Sequence, residues 1–260
     1  MAKKQSVLLW GGALFAYLFL YLPLVIVVVY SFNDSRLNAE WVGFTTKWYV
    51  KLFNNDEMIT AAVNSLIIGV TSSVIATVLG TLAGIALHRF KLKFLPFLVL
   101  TPIAIPEILM GVSLLIFFVM INLTLGMVSI ILAHVAFCIG FVAIVVRARM
   151  QGMDDSLVEA ARDLGATPWQ AFRLVTLPQI LPGIIMAGAL MAFTLSIDDF
   201  VITFFTAGVG ASTLPLQIYS MIKIAVTPEV NAVSSLLMLL TLCLILIASR
   251  LSPSSLKSHG

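Results

Sequence analysis

Six apolar runs, roughly residues 7–30, 61–87, 94–121, 124–146, 180–205 and 230–249, contain no lysine or arginine. Their only acidic residues are Glu107, Asp198 and Asp199. Each run is long enough to cross a bilayer, which takes about 20 residues of helix. The chain is therefore expected to be all-α and polytopic, with six transmembrane helices. Composition agrees with a lipid solvent. Of its 260 residues 60% are hydrophobic and 10% charged, where a soluble domain carries about a quarter charged residues. No hydrophilic block is long enough to fold alone, so residues 1–260 read as a single transmembrane domain.

The net charge of +3 comes from 15 basic and 12 acidic residues. A basic chain can bind nucleic acid, but here the basic residues sort by side, which identifies the lipid bilayer as the partner instead. Under the six-span topology Lys3, Lys4, Arg89, Lys91, Lys93, Arg147, Arg149, Arg162, Arg173, Arg250 and Lys257 share one side. Arg36, Lys47, Lys51 and Lys223 face the other. The excess marks the cytoplasmic side, so both termini are expected there. Lys3 and Lys4 precede an apolar run, Val7 to Tyr30, too long for a signal peptide and without a small-x-small cleavage site after it. It reads as an uncleaved first span. Cys138 and Cys243 lie in apolar runs without metal-ligand spacing and read as packing residues.

Two segments outside the spans carry information. In the outer segment 31–60, Trp41, Phe44, Trp48, Tyr49, Leu52 and Phe53 interleave with polar residues. Trp48 and Leu52 are four apart and share a helix face. An interfacial helix at headgroup level or a lid over a channel mouth both fit. The inner segment 147–179 is too long to be structureless. Ser156-Leu157-Val158-Glu159 has the form of a capping box. Leu157, Val158, Ala161 and Leu164 continue as an apolar stripe, and Gly165 suits a left-handed C-terminal cap. Thr167-Pro168-Trp169-Gln170 is a second capping box with proline at the first helical position. The spacing predicts a short helix, a glycine corner and a helix that enters the membrane. Such a helix can press into a partner's groove, or Glu159 can simply serve its own helix.

Glu159-Ala160-Ala161, Gly165 four residues on, and Val175-Thr176-Leu177-Pro178 ten residues after it resemble the EAA loop of ABC-importer permeases. The loop stands between the fourth and fifth spans, and Val175 replaces the usual isoleucine. Further segments are similar to the second membrane subunit of spermidine/putrescine importers. They are Ser31-Phe32-Asn33, Gly43 to Tyr49, Thr194 to Asp199, Ser220 to Lys223 and Pro228 to Ala232. The resemblance implies a type I ABC importer permease fold in a bacterial cytoplasmic membrane. It also implies a second homologous permease subunit, two ATP-binding subunits and an external substrate-binding protein as partners. Glu159, Ala160, Ala161, Gly165, Leu177 and Pro178 would then couple this chain to the ATPase. The P-loop pattern is absent from the sequence. ATP and magnesium would therefore belong to the partner ATPase, and no catalytic residue, metal ligand or cofactor site is expected in this chain.

The acids inside the spans point to the passenger. Glu107 lies about 20 Å into its span at 1.5 Å per residue, near mid-membrane. Pro102 and Pro106 leave the carbonyls of Leu98 and Pro102 without their usual donors. A carboxylate beside free carbonyls suits an ammonium group. A proline kink with Glu107 bonded to a neighbouring helix is the alternative. Asp198 and Asp199 point about 100° apart on a helix, so only one can face a pore. Asp198 is the favoured one, unless both lie at a polar break near the surface. Three acids without a base argue for a cation, in agreement with the polyamine that the resemblance implies, with Tyr219, Phe204 and Phe205 able to add cation–π contacts or simply to pack. His134 is expected to bond helix to helix, Glu229 to sit in a first helical turn, and Gly80 and Gly84 to allow close helix packing. Thiamine-like or metal cations, an ion-gradient-driven secondary transporter, and an enzyme using Glu107 and Asp198 are the competing readings.

Overall fold

The computed structural model describes residues 2–35, 40–90 and 93–251. Arg36, Lys91 and Lys257, counted above for orientation, lie outside them. Among the described residues the chain is helical, and the one β-type pairing is a bridge between Asn33 and Phe44. The helices are α1 (Ala2–Tyr30), α2 (Lys47–Phe53), α3 (Asp56–Arg89), α4 (Leu95–Ala104), α5 (Glu107–Met120), α6 (Met127–Gln151), α7 (Ser156–Asp163), α8 (Pro168–Ala171), α9 (Leu177–Ile185), α10 (Phe193–Ile197), α11 (Val201–Thr206), α12 (Leu214–Ile224) and α13 (Pro228–Leu251). Two π-helical stretches, Phe172–Thr176 and Met186–Ala192, join α8, α9 and α10 into one helix from Pro168 to Ile197.

Four helices are long and apolar enough to cross a membrane: Trp10–Tyr30, Asp56–Arg89, Met127–Gln151 and Pro168–Ile197. The third expected span, 94–121, differs from a straight helix. It is broken into α4 and α5, which meet at 112°. Proline at 106 has no N–H to give and drives the preceding Ile105 out of helical geometry, to ψ 132°. Counting that pair as one span gives five. The last apolar stretch forms α13, whose apolar part is the shorter Pro228–Cys243. The fifth expected span, 180–205, also shifts. Its helix starts earlier, at Pro168, and stops at Ile197, so Asp198 and Asp199 follow the helix instead of lying inside it.

The chain falls into two compact units, residues 1–59 with 217–240 and residues 60–216 with 241–260. In the first, the segment after α1 is held by its own polar groups. Asn33 is fully buried. Its Nδ2 donates to the Glu40 carbonyl at 2.7 Å and its Oδ1 accepts from the Val42 N–H at 2.9 Å. Trp48 Nε1 donates to the Asn33 carbonyl at 2.7 Å, and the Ser31 hydroxyl meets the Tyr49 hydroxyl at 2.6 Å. Leu52 on α2 is buried. Glu229 lies in the first turn of α13, as expected, and accepts from Lys51 Nζ at 2.5 Å. No residue of the Trp10–Tyr30 window is buried by the rest of the chain. A helix apolar all round and uncovered by protein requires lipid or another subunit.

The second unit is built around α6. Ile130, Ala133, His134, Cys138, Val142 and Val146 run along its buried face. Against it pack α4, α9, α11 and the second π-helical stretch. Gly80 and Gly84 let α3 approach the same helix, as the small-residue spacing predicts. A Cβ at Gly80 would stand 2.6 Å from Val142 Cβ, and one at Gly84 would stand 2.7 Å from the Ala143 carbonyl oxygen. Close approach of this kind is how helices gain packing energy in lipid, where no hydrophobic effect drives them together.

Candidate functional site

All three acids of the apolar runs sit at breaks in helical backbone. Glu107 is the first residue of α5, directly after the bend at Pro106. It is exposed on this chain, and its position at a helix N-terminus favours a negative charge. Asp198 and Asp199 occupy the gap between α10 and α11. The elements carrying these acids touch, because α11 packs along α5. A Cβ on Gly111 of α5 would lie 2.7 Å from the Phe205 ring, so the glycine makes room for that ring between the two short helices. Irregular backbone is tolerated at membrane depth only when buried in protein or lining a polar cavity.

The two adjacent aspartates have opposite environments. Asp198 is exposed. The Asp199 side chain is only 5% exposed and fully engaged. Its Oδ1 accepts from the Ile202 N–H at 3.3 Å, and its Oδ2 accepts from the Thr203 N–H and the Thr203 hydroxyl, each at 2.8 Å. A carboxylate that accepts the first amides of a helix caps it; Asp199 does so from one residue before Phe200, the N-cap position of α11, and thereby fixes the break. His134 of α6 lies 3.2 Å from Asp199 Oδ2 and is 2% exposed. Its Nδ1 meets the Ser196 hydroxyl at 2.6 Å and its Nε2 meets the Thr203 hydroxyl at 2.9 Å. The expected helix-to-helix role of His134 is therefore met, joining α6 to α10 and α11. Its association with Asp199 was missed by the sequence reading. The available signal was an aspartate followed by Thr203 four residues later, beyond a run that could end at residue 197. Tyr219 is on α12, in the other unit, and 43% exposed.

The inner loop follows its caps, with one correction. Ser156 is not a cap. It is the first residue of α7, and its N–H donates to Asp154 Oδ1 at 3.0 Å. The carboxylate two residues upstream takes the amide that Glu159 would hold in a capping box, and the helix starts one residue earlier than expected, with Asp155 as its N-cap. Hydrogen bonds from the Ser156 side chain and backbone hold the Asp154 carboxyl below its ordinary value. The end of α7 forms as expected. Gly165 has φ +88°. The Ala166 N–H donates to the Ala161 carbonyl at 3.0 Å and the Gly165 N–H to the Arg162 carbonyl at 2.9 Å. These are the two bonds of a Schellman motif. The Thr167 box is also present. The Gln170 N–H donates to Thr167 Oγ1 at 3.3 Å, and the Thr167 N–H to Gln170 Oε1 at 2.8 Å.

Glu159, Ala160 and Gly165 are exposed and Ala161 is half-buried. Leu177 and Pro178 open α9, after the first π-helical stretch. Leu157, Leu164, Trp169 and Leu174 are 49%, 90%, 66% and 71% exposed among the described residues. Asp155, Val158, Glu159 and Arg162 line a cavity of about 560 Å³ together with Arg89 and Thr176.

The spermidine/putrescine transport system permease protein PotC of Shigella flexneri is 40% identical over 257 residues, 97% of each chain. The putrescine transport system permease protein PotI of Escherichia coli (strain K12) is 42% identical over 236 residues, 86% of this chain and 83% of that one. Among solved structures, a bacterial ABC transporter for import of the acidic polysaccharide alginate has a TM-score of 0.75 at 19% identity. That match covers 98% of both chains, and it bears on the fold alone. Residues 76–254 match the family described as the binding-protein-dependent transport system inner membrane component. With that match over most of the chain, and two relatives at 40% identity or more, this multi-pass membrane protein belongs to the inner membrane components of binding-protein-dependent ABC importers.

Proposed function

We propose that this chain is the translocation subunit of an ABC importer that carries a small organic cation, spermidine or putrescine, across the cytoplasmic membrane. The observation that carries the reading is the 40% identity to PotC along 97% of both chains. The chemistry of the breaks supports it. Glu107 and Asp198 are exposed carboxylates at interrupted backbone, and no lysine or arginine falls in the apolar runs to oppose them. A charge at the bilayer centre costs about 2.5–3.5 kcal/mol on insertion scales, which an opposite charge along the path offsets.

In this reading the external binding protein delivers the passenger at the outer mouth. Asp198 and Glu107 receive its ammonium groups. The energy comes from a separate ATPase. Two copies of it close on ATP, and α7 with its apolar neighbours Leu157, Leu164 and Trp169 carries the motion into the helix that starts at Pro168. A second, homologous permease subunit supplies the other half of the path, and both termini face the cytoplasm. The two subunits rock so that the path opens to one side at a time, and no covalent bond is made in this chain.

Uptake of radiolabelled putrescine into vesicles holding the complete complex tests the proposal. Uptake should require internal or external ATP on the ATPase side and stop when the ATPase is omitted. Uptake driven by an ion gradient without the ATPase would overturn it.

A further inference from the structure

A buried chain of side-chain hydrogen bonds ties the Asp198–Asp199 break to two neighbouring helices. It runs from the Ile68 carbonyl to the Ser72 hydroxyl (2.5 Å), to the Ser196 hydroxyl (2.9 Å), to His134 Nδ1 (2.6 Å). It continues from His134 Nε2 to the Thr203 hydroxyl (2.9 Å) and on to Asp199 Oδ2 (2.8 Å). Ser72, Ser196, His134 and Thr203 are all buried. The links therefore cannot be shared with water, and an unmade one would leave a buried polar atom unsatisfied.

Five contacts need five protons, one each. The Ser72, Ser196 and Thr203 hydroxyls supply three. The remaining two must come from His134 and Asp199 together. A neutral imidazole brings one, so the pair holds one proton more than a neutral imidazole beside an ionised carboxylate. Whether that proton rests on the ring or is shared toward the carboxyl, the pair as a unit carries no net charge. Asp198, the next residue, is exposed and outside this chain of bonds.

We infer that His134 is the internal counterion of Asp199 and a positioning residue for Asp198. By neutralising one of two adjacent carboxylates and holding it as the cap of α11, His134 fixes the break that presents the other, alone, to a cationic passenger. This rests on the proposed reading of Asp198 as part of the path. The design separates two jobs that one carboxylate does badly. Asp199 builds backbone, and a carboxylate that also bound cargo would release the helix it caps each time it did so. Asp198 is left free to bind. The inference also gives a reason for the isolated histidine in a span, 124–146, otherwise without acidic or basic residues, where such a residue is costly unless it serves a partner.

The test uses the complete importer in vesicles, with radiolabelled putrescine and its binding protein, and reads KM, kcat and co-purification with the ATPase. His134→Gln leaves the Asp199 carboxylate without its counterion and should raise KM by roughly tenfold, since misplacing a contact group by about 1 Å costs up to a hundredfold. Asp199→Asn keeps the pair neutral, because the amide can donate to the Thr203 hydroxyl and the ring needs only one proton, and should raise KM by less than about threefold. The double variant His134→Gln/Asp199→Asn restores neutrality and should return KM to within about threefold of the parent, a non-additivity expected of residues in one network. A merely structural role would lower yield and kcat together and would make the double variant worse than either single. A His134→Gln variant that leaves KM unchanged, or a double variant no better than His134→Gln alone, overturns the inference. If a single variant fails to assemble, recovery of assembly and KM in the double variant still decides the matter. Asp198→Asn in the same assay keeps the two readings apart. If it leaves KM unchanged, Asp198 is not in the path and the functional premise itself fails. If it raises KM while the paired variants do not, only the counterion role is lost.

Discussion

Replacement of Gly165 separates backbone geometry from bulk at the inner loop. Gly165 has φ +88°, and a Cβ added there would meet nothing within 4 Å. Alanine is therefore opposed by conformation alone, at about 1–2 kcal/mol for a left-handed residue. Asparagine tolerates that conformation far better. Proline is worse than either. Its ring fixes φ near −65°, which the observed +88° excludes, and it removes the 2.9 Å bond from the Gly165 N–H to Arg162. Losing that bond adds about 1 kcal/mol to the strain. One or two kcal/mol shifts a local equilibrium by a factor of about 5–30, enough to unseat α7 from its cap. Gly165 is exposed at a loop, so insertion of the spans should not change. In vesicles holding the complete importer, the ratio of putrescine taken up to ATP hydrolysed should stay near the parent value for Gly165→Asn. It should fall for Gly165→Ala and collapse for Gly165→Pro. A proline variant with the parent's ratio, or an asparagine variant as damaged as the proline one, would refute the reasoning that the capped corner transmits the motion.

Glu107→Gln should lower putrescine uptake by about tenfold, the factor that corresponds to about 1.4 kcal/mol of a charge-assisted bond, while co-purification with the ATPase is unchanged; unaltered uptake removes Glu107 from the path. Gly84→Val should destabilise the chain by about 1–3 kcal/mol through overpacking, because its Cβ would stand 2.7 Å from the Ala143 carbonyl oxygen and 2.9 Å from Val146 Cβ. A thermal unfolding midpoint in detergent equal to the parent's would show that α3 and α6 do not meet there.

Where a signal is local and repeated, the amino-acid order was sufficient. Continuous apolar runs free of basic residues announce a helical membrane protein, because lipid permits few other ways to satisfy the backbone, but of the six expected spans the described residues form four, or five with the bent pair. The Gly165 corner and the Thr167 box were equally plain, since each is a contract among residues within five positions of one another. The Ser156 cap failed within that same range, because Asp154 competes for the same amide and its carboxylate reaches it. Gly80 and Gly84 showed where α3 could approach a neighbour, though not that the neighbour would be α6.

The size of the bend at Pro106 and the fate of the two aspartates belonged to the tertiary structure. A proline at 106 marks an interruption, but whether the chain kinks or turns through 112° depends on what α5 finds to pack against, and here that is α11. In the same way Asp198 and Asp199 are chemically identical and adjacent in sequence. One became exposed and the other a buried cap only because His134, more than sixty positions earlier, was brought beside Thr203 and Asp199 by the packing of α6. Charge in a low-dielectric interior is decided by such partners, and partners that distant are assigned by the fold.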